Sequence, residues 1–402
     1  MMKKNNQSAP FGALMLGMLF VALALRAPMS SVGPLVPQIK ADLGISSAVS
    51  GMLTTIPVLF FATMASVCSV LIRKLGLYRL TLGCLASILG GILIRSYGGT
   101  VGLFLGTAFI GAGVGLLNVA IPVFIRSAFT DKIGLAMGTY TLTMNILSSL
   151  AAGISVWLSQ LLLGWQNSLA LWGFFSLAAI PGWAFFARSY RGGDPQPPAA
   201  DDTEKPRAPV IKSVSNWFIA IFMGGQSVLY YIYLTWLPSI VLDKTGDAGL
   251  SSFSFLYMQA VGLITNFLSP VIVQRMSRKG ILAAISAGLY TLGTLTIMLV
   301  GSNVFVLFFG ITLCGLGVGS CLSLALTFIT LKGKTHEGTA RLSAFAQAIG
   351  YGLAAPGPFI IGGLYDASGS WVLPLTALFI LCLPLIFISW RAGNLASEAA
   401  AG

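Results

Sequence analysis

Acid is what this chain has least of. Aspartate and glutamate number 11 in 402 residues, and there is 1 histidine. The acids are Asp42, Asp131, Asp194, Asp201, Asp202, Glu204, Asp243, Asp247, Glu337, Asp366 and Glu398, each in a loop, a run end or a polar tail, and His336 is also in a loop. An enzyme embedded in a membrane needs a base, nucleophile or metal cluster at one depth, and none can be assembled from this set. The acid and histidine relays that carry protons in many symporters have no member inside the apolar runs. The five cysteines, Cys68, Cys84, Cys314, Cys321 and Cys382, all fall in apolar runs without a C-x-x-C pair, so they read as buried packing. No phosphate-binding P-loop is present. Neither a metal nor a cofactor is expected.

Charge of both signs is scarce as well, at 8% of residues against 56% hydrophobic. A soluble globular chain carries about 25% charged residues. The deficit makes lipid the solvent for most of the surface. About 20 apolar residues cross the hydrocarbon of a bilayer. Twelve such runs are visible, near 11–38, 47–72, 79–97, 101–126, 133–160, 166–187, 215–241, 250–273, 281–300, 304–331, 339–364 and 370–391. Lys3 and Lys4 precede a first run too long for a signal peptide, so it reads as an uncleaved span. Between runs six and seven lies Arg188–Lys212, polar and proline-rich, which reads as a linker. The expected organisation is a six-helix unit over 1–187, a cytoplasmic linker over 188–214, and a second six-helix unit over 215–402.

The net charge of +12 is a matter of membrane orientation, not of nucleic acid. With the N-terminus cytoplasmic, 19 lysines and arginines fall on the cytoplasmic side and only Lys40, Arg95 and Lys244 on the other. By the positive-inside tendency both termini and the linker are cytoplasmic. The two units repeat at an offset of 204: Gly111-Ala112-Gly113-Val114-Gly115 matches Gly315-Leu316-Gly317-Val318-Gly319, Pro34 meets Pro238, and Lys40 meets Lys244. A repeat in one direction relates two bundles by an axis along the membrane normal, with the substrate site between them near the midplane. The glycines read as close helix packing.

One charge lies inside the apolar runs. Arg26 sits in Leu25-Arg26-Ala27-Pro28-Met29-Ser30-Ser31-Val32-Gly33-Pro34, with Ser30 and Gly33 on its face at i+4 and i+7. Such an arginine costs roughly 2.5–3.5 kcal/mol to insert and marks a functional site by default. The prolines free backbone groups and let the span bend. At the repeat offset Arg26 falls opposite Tyr230. Gln226, Tyr230 and Tyr233 lie along one face of the seventh run, with Tyr231 and Thr235 on an adjacent line. Asn118 in the fourth run, Tyr140, Met144 and Asn145 in the fifth, Gln259 and Asn266 in the eighth, and Gln347 and Tyr351 in the eleventh supply further polar or soft groups. The candidate substrate-binding set is Arg26, Ser30, Asn118, Tyr140, Met144, Asn145, Gln226, Tyr230, Gln259, Gln347 and Tyr351.

Twelve spans, a central linker and paired basic loops at Arg73-Lys74 and Arg275–Lys279 resemble the major facilitator superfamily. Leu25-Arg26-Ala27-Pro28, Tyr140-Thr141-Leu142-Thr143-Met144, Gly164-Trp165-Gln166, Tyr230-Tyr231, Trp236-Leu237-Pro238 and Gln347-Ala348-Ile349-Gly350-Tyr351 are similar to its cyanate permease family, nearest the 2-nitroimidazole transporter branch. The superfamily's loop signature departs from type: Cys68 stands where a glycine is usual and Ile72 where an aspartate is usual, beside Arg73. Thr107 stands near the place of the fourth-span arginine of proton-coupled members.

The resemblance implies an all-α membrane protein with twelve transmembrane helices in two pseudo-symmetric six-helix bundles, placed in a bacterial cytoplasmic membrane. The expected function is secondary transport of a small anionic or polar planar solute, cyanate-like or nitroimidazole-like, with Arg26 as its principal charge. A drug-type exporter of weakly polar aromatic compounds, with Arg26 structural, is the alternative. A channel or sensor is disfavoured by the repeat. Expected partners are the small solute and the lipid bilayer, with no nucleic acid and a monomeric state.

Overall fold

Helices apolar on every side have no wet face, so they pack in lipid with their backbone bonds satisfied internally. The computed structural model describes residues 11–129, 132–187, 210–333 and 336–401. The 188–209 part of the linker therefore lies outside the described residues. Among those described, every regular element is a helix, and 12 spans are long and apolar enough to cross a membrane. Span 1 consists of α1 (Phe11–Ser30) and α2 (Val32–Leu43). Spans 2 to 5 are α3 (Ser47–Leu75), α4 (Leu77–Tyr97), α5 (Gly99–Ala128) and α6 (Ile133–Leu161). Span 6 is α7 (Trp165–Leu171) with α8 (Gly173–Ala187). Spans 7 to 10 are α9 (Val214–Thr245), α10 (Ala248–Arg275), α11 (Lys279–Leu299) and α12 (Val304–Lys332). Span 11 joins α13 (His336–Ala354) to α14 (Gly357–Ser368), and span 12 is α15 (Val372–Ala401).

The turns are built by local chemistry. Gly44 and Gly246 end spans 1 and 7 in the left-handed region, at φ 63° and 68°, where a side chain would be strained. Asp247 caps α10, its Oδ1 accepting from the N–H groups of Gly249 at 2.7 Å and Leu250 at 3.0 Å. Span 1 breaks at Ser31, between Pro28 and Pro34, where two prolines withhold backbone donors.

The glycine repeat has one packing role in each set of six spans. A methyl on Gly111 would strike Pro57 of α3, and one on Gly315 would strike Met258 of α10. A methyl on Gly113 would meet Cys84 and Ile88 of α4, and one on Gly317 would meet Ser286 and Tyr290 of α11. Spans 4 and 10 thus lie backbone to backbone against equivalent neighbours, as small residues permit in lipid.

Twelve crossings put Phe11 and Ala401 at one end of the bundle. At the far end the first and last six spans are sealed together. Gly51 lies against Pro358 and Phe359, Gly362 against Ser47, and Gly33 against Leu234. Thr235 Oγ1 donates to Thr54 Oγ1 at 2.8 Å. The Asp366 carboxylate accepts from the N–H groups of Ser47 at 2.9 Å and Ala48 at 2.7 Å, so span 11 caps the N-terminus of span 2. Lys40 Nζ donates to Ser47 Oγ and stands 5.3 Å from the Tyr365 ring centre. A helix cap is worth ~1 kcal/mol. Asp366→Asn, which retains one acceptor oxygen, is expected to loosen this seal by about fivefold in the closed-to-open ratio. Maleimide labelling of a Thr54→Cys thiol measures it; an unchanged rate would dismiss the cap as a contributor.

Candidate functional site

Arg26 leaves α1 a turn before the break in span 1 and points between the two sets of spans. It lines a cavity of about 90 Å³ with Asn145 and Ser149 of α6, Gln226, Tyr230 and Tyr231 of α9, Gln259 and Asn266 of α10, and Tyr351 of α13. Met223, Ser227, Gly262, Leu263, Val318, Gly319 and Leu322 complete the wall. Arg26 has no carboxylate partner among the described residues. The groups that act on its guanidinium are phenols: Tyr231 within hydrogen-bonding reach, and Tyr230 and Tyr351 nearby. Their rings form an aromatic wall, with Tyr230 and Tyr231 edge-to-face at 5.1 Å and Tyr231 and Tyr351 at 6.3 Å. Phe61 extends it against Tyr351 at 5.7 Å. Gln226 Nε2 donates to Ser227 Oγ at 2.8 Å, and Gln259 Nε2 reaches toward the Tyr230 hydroxyl at 3.5 Å. The cavity therefore offers one fixed cation, hydroxyls and amides of either hydrogen-bonding sense, and ring faces.

Six of the eleven expected residues meet here: Arg26, Asn145, Gln226, Tyr230, Gln259 and Tyr351. The other five do not line the cavity. Ser30 is buried and turns its hydroxyl back to the Arg26 carbonyl at 3.0 Å. Asn118 is half-buried and away from the cavity wall. Met144 packs into the core. Gln347 spends its amide on Ser343 Oγ at 2.8 Å. Tyr140 is buried behind the wall, close enough to feel the Arg26 charge, and its hydroxyl has no partner among the described residues. Tyr233, on the same face of α9 by spacing, enters the core of the last six spans and donates to Thr294 Oγ1 at 2.9 Å. Among the wall residues missing from the expected set were Asn266, which shares a face with Gln259, and Tyr231 and Ser149. The signal for the last two was weak: Tyr231 lies on the line beside Tyr230, and a lone serine in a span more often bonds its own helix. Arg95, assigned by the charge count to the side opposite the termini, stands at that end of α4 and is buried within the bundle.

The twelve-span architecture has a counterpart among known families. Residues 14–355 match the model of the Major Facilitator Superfamily. The chain belongs to the major facilitator superfamily. Within it, the chain is 36% identical to the "Uncharacterized transporter YycB" of Bacillus subtilis (strain 168), covering 95% of this chain and 92% of that protein. It is 30% identical to the 2-nitroimidazole transporter of Escherichia coli (strain K12), covering 95% of each. It is 25% identical to the cyanate transport protein CynX of the same organism, covering 94% of this chain and 96% of that one. This superfamily member is thus a multi-pass membrane transporter of small molecules, not an enzyme, and its cavity between the two sets of spans is the place to look for the solute.

Proposed function

We propose that the chain carries a small planar solute, anionic or strongly polarised, across a bacterial cytoplasmic membrane by alternating access. Arg26 is its principal binding charge. One observation carries this reading: a guanidinium with no carboxylate partner among the described residues faces a cavity walled by phenols and amides. A guanidinium fork suits two oxygens held in a plane, and its charge is undiminished at any working pH. Aromatic rings add stacking for a flat solute. Two relatives are named for solutes of this chemistry, 2-nitroimidazole and cyanate. Size argues the same way. About 90 Å³ is room for a few heavy atoms. Pockets for drug-sized ligands run to roughly 300–1,000 Å³, so this one suits a smaller solute better.

Residues 1–187 and 215–402 act in this proposal as two rocking units about the linker. With the far end sealed, the path from the cavity runs toward the end bearing both termini; the positive-inside tendency of the basic loops supports that end as the cytoplasmic one.

Counterflow in proteoliposomes with a panel of small anions and flat heterocycles tests the assignment. Saturable exchange of cyanate or 2-nitroimidazole, competed by similar solutes, is the expected result; exchange confined to bulky uncharged aromatics would overturn it. The absence of acids and histidine from the cavity wall adds a pH expectation. For an anion with no titration in the range, exchange varies less than about twofold between roughly pH 5.5 and 8, because no wall group changes charge there. For a weak acid the rate follows the solute's own ionisation. A steep pH dependence with a permanent anion would require a titrating protein group and contradict this.

A further inference from the structure

Arg95 takes no part in the cavity, yet the bundle encloses it more completely than Arg26. It stands in the last turn of α4 and is 2% exposed. Its Nη1 donates to the carbonyl oxygen of Pro28 at 2.6 Å. Its Nε and Nη2 are buried without a partner among the described residues. No carboxylate among the described residues balances its charge. The surroundings leave it little freedom. α5 is pressed onto the backbone of α4 at this point, since a methyl on Gly106 would come within 2.7 Å of Arg95 Cα. The side chain leaves toward span 1.

An uncompensated buried ion with two unmet donors is a poor device for stability. Apolar side chains of similar volume often do as well or better in such places. What the guanidinium does supply is a directional grip on one carbonyl. That carbonyl belongs to the proline two residues after Arg26, next to the break at Ser31, where span 1 is least held by its own bonds. Two residues turn a helix by roughly 200°, so the grip lies on the back of α1 and Arg26 on the front. We infer that Arg95 is a positioning residue: it clamps span 1 at its break and thereby aims Arg26 into the cavity. The effect on transport rests on the proposed role of Arg26; the clamp itself does not.

The test is made on the purified full-length protein. An Arg26→Cys thiol is reacted with a small neutral maleimide, with Arg95 intact and in an Arg95→Met background. The five native cysteines are buried, which keeps background labelling low. The clamp predicts that labelling slows at least tenfold when Arg95 is Met. Arg95→Lys, which keeps a cation able to reach a carbonyl, returns the rate to within threefold. With Arg26 in place, Arg95→Met is expected to melt no lower than the wild type and to bind cyanate or 2-nitroimidazole at least tenfold more weakly. Equal labelling rates in the two backgrounds would overturn the inference, and so would wild-type binding in Arg95→Met. Should Arg95→Met fail to fold, Arg95→Leu, which likewise has no donor, serves in both comparisons. If the wild type binds neither probe, the proposed function is at fault, and the labelling rates still decide the clamp.

Discussion

Arg26→Gln is expected to abolish measurable counterflow and to weaken solute binding by about a hundredfold or more. A hydrogen bond to a charged group contributes roughly 1.5–3 kcal/mol. Stranding a buried anion without its partner costs about 3–5 kcal/mol. At about 1.4 kcal/mol per factor of ten, the first figure gives roughly tenfold to a hundredfold and the second roughly a hundredfold to several-thousandfold. The cavity holds no second cation to take over, because its wall is otherwise phenol, amide, hydroxyl and hydrocarbon. Arg26→Lys retains the charge and loses the planar fork, so a loss near tenfold is expected instead. Stability should move the other way. Removing an ion without a carboxylate partner from the bundle is neutral or favourable to folding. A thermal-shift series with cyanate and 2-nitroimidazole on the wild type and both variants reads binding and stability together, because a ligand raises the melting point of the state it binds. If Arg26→Gln melts normally and exchanges solute like the wild type, the anion reading fails.

Gly51→Ala is expected to stall the transport cycle. Its new methyl would stand 2.7 Å from the Pro358 carbonyl carbon and 2.9 Å from Phe359 Cα, with the Pro358 carbonyl oxygen nearer still. All three are backbone atoms, which cannot swing aside as a side-chain tip can. Overpacking of this kind costs typically ~1–3 kcal/mol or more. In the proposed alternating-access cycle the contact is broken when the far end opens, so the cost is expected to fall on the closed state. A one-sided penalty of about 3 kcal/mol shifts the closed-to-open ratio by roughly 150-fold. The intrinsic effect on the helix has the opposite sign, since alanine favours helix over glycine by about 1 kcal/mol. Loss of transport could not then be assigned to a weakened α3. Counterflow should fall at least 50-fold by the same arithmetic, with the melting point little changed and far-end labelling at Thr54→Cys accelerated. Normal exchange by Gly51→Ala would mean that the seal at Pro358 opens too easily to gate anything. Gly362, pressed on Ser47, and Gly33, pressed on Leu234, give independent repeats of the experiment.

Much of the molecule could be read along the chain, and for identifiable reasons. Span number follows from run length because a continuous apolar run of about 20 residues crosses lipid with its backbone bonds satisfied only as a helix. The match of Gly111, Gly113 and Gly115 to Gly315, Gly317 and Gly319 carried the symmetry, and the packing of spans 4 and 10 repeats with it. Arg26 and Tyr230, paired by the repeat, do line one cavity. Helical spacing served less well for the rest of the wall. Gln226, Tyr230 and Tyr233 share a face by count, yet only the first two reach the cavity; Tyr233, almost a turn further along α9, donates to Thr294 instead. The sequence assigned Arg95 a side of the membrane but no burial, because a position in the last turn of a span is where a surface charge would stand too.

The sequence by itself determined the solvent, the number of crossings, the repeat, and that one cation would sit in the interior without an acid. Those properties depend on hydropathy and on what the chain lacks, and both are additive along a line of residues. Tertiary structure alone decided which polar groups turn toward that cation, which end is shut, and that a second arginine grips the span carrying the first. Each of these depends on the rotation of one helix about its axis relative to its neighbours. In an environment where every face of a helix is apolar, no pattern within a single helix records that rotation.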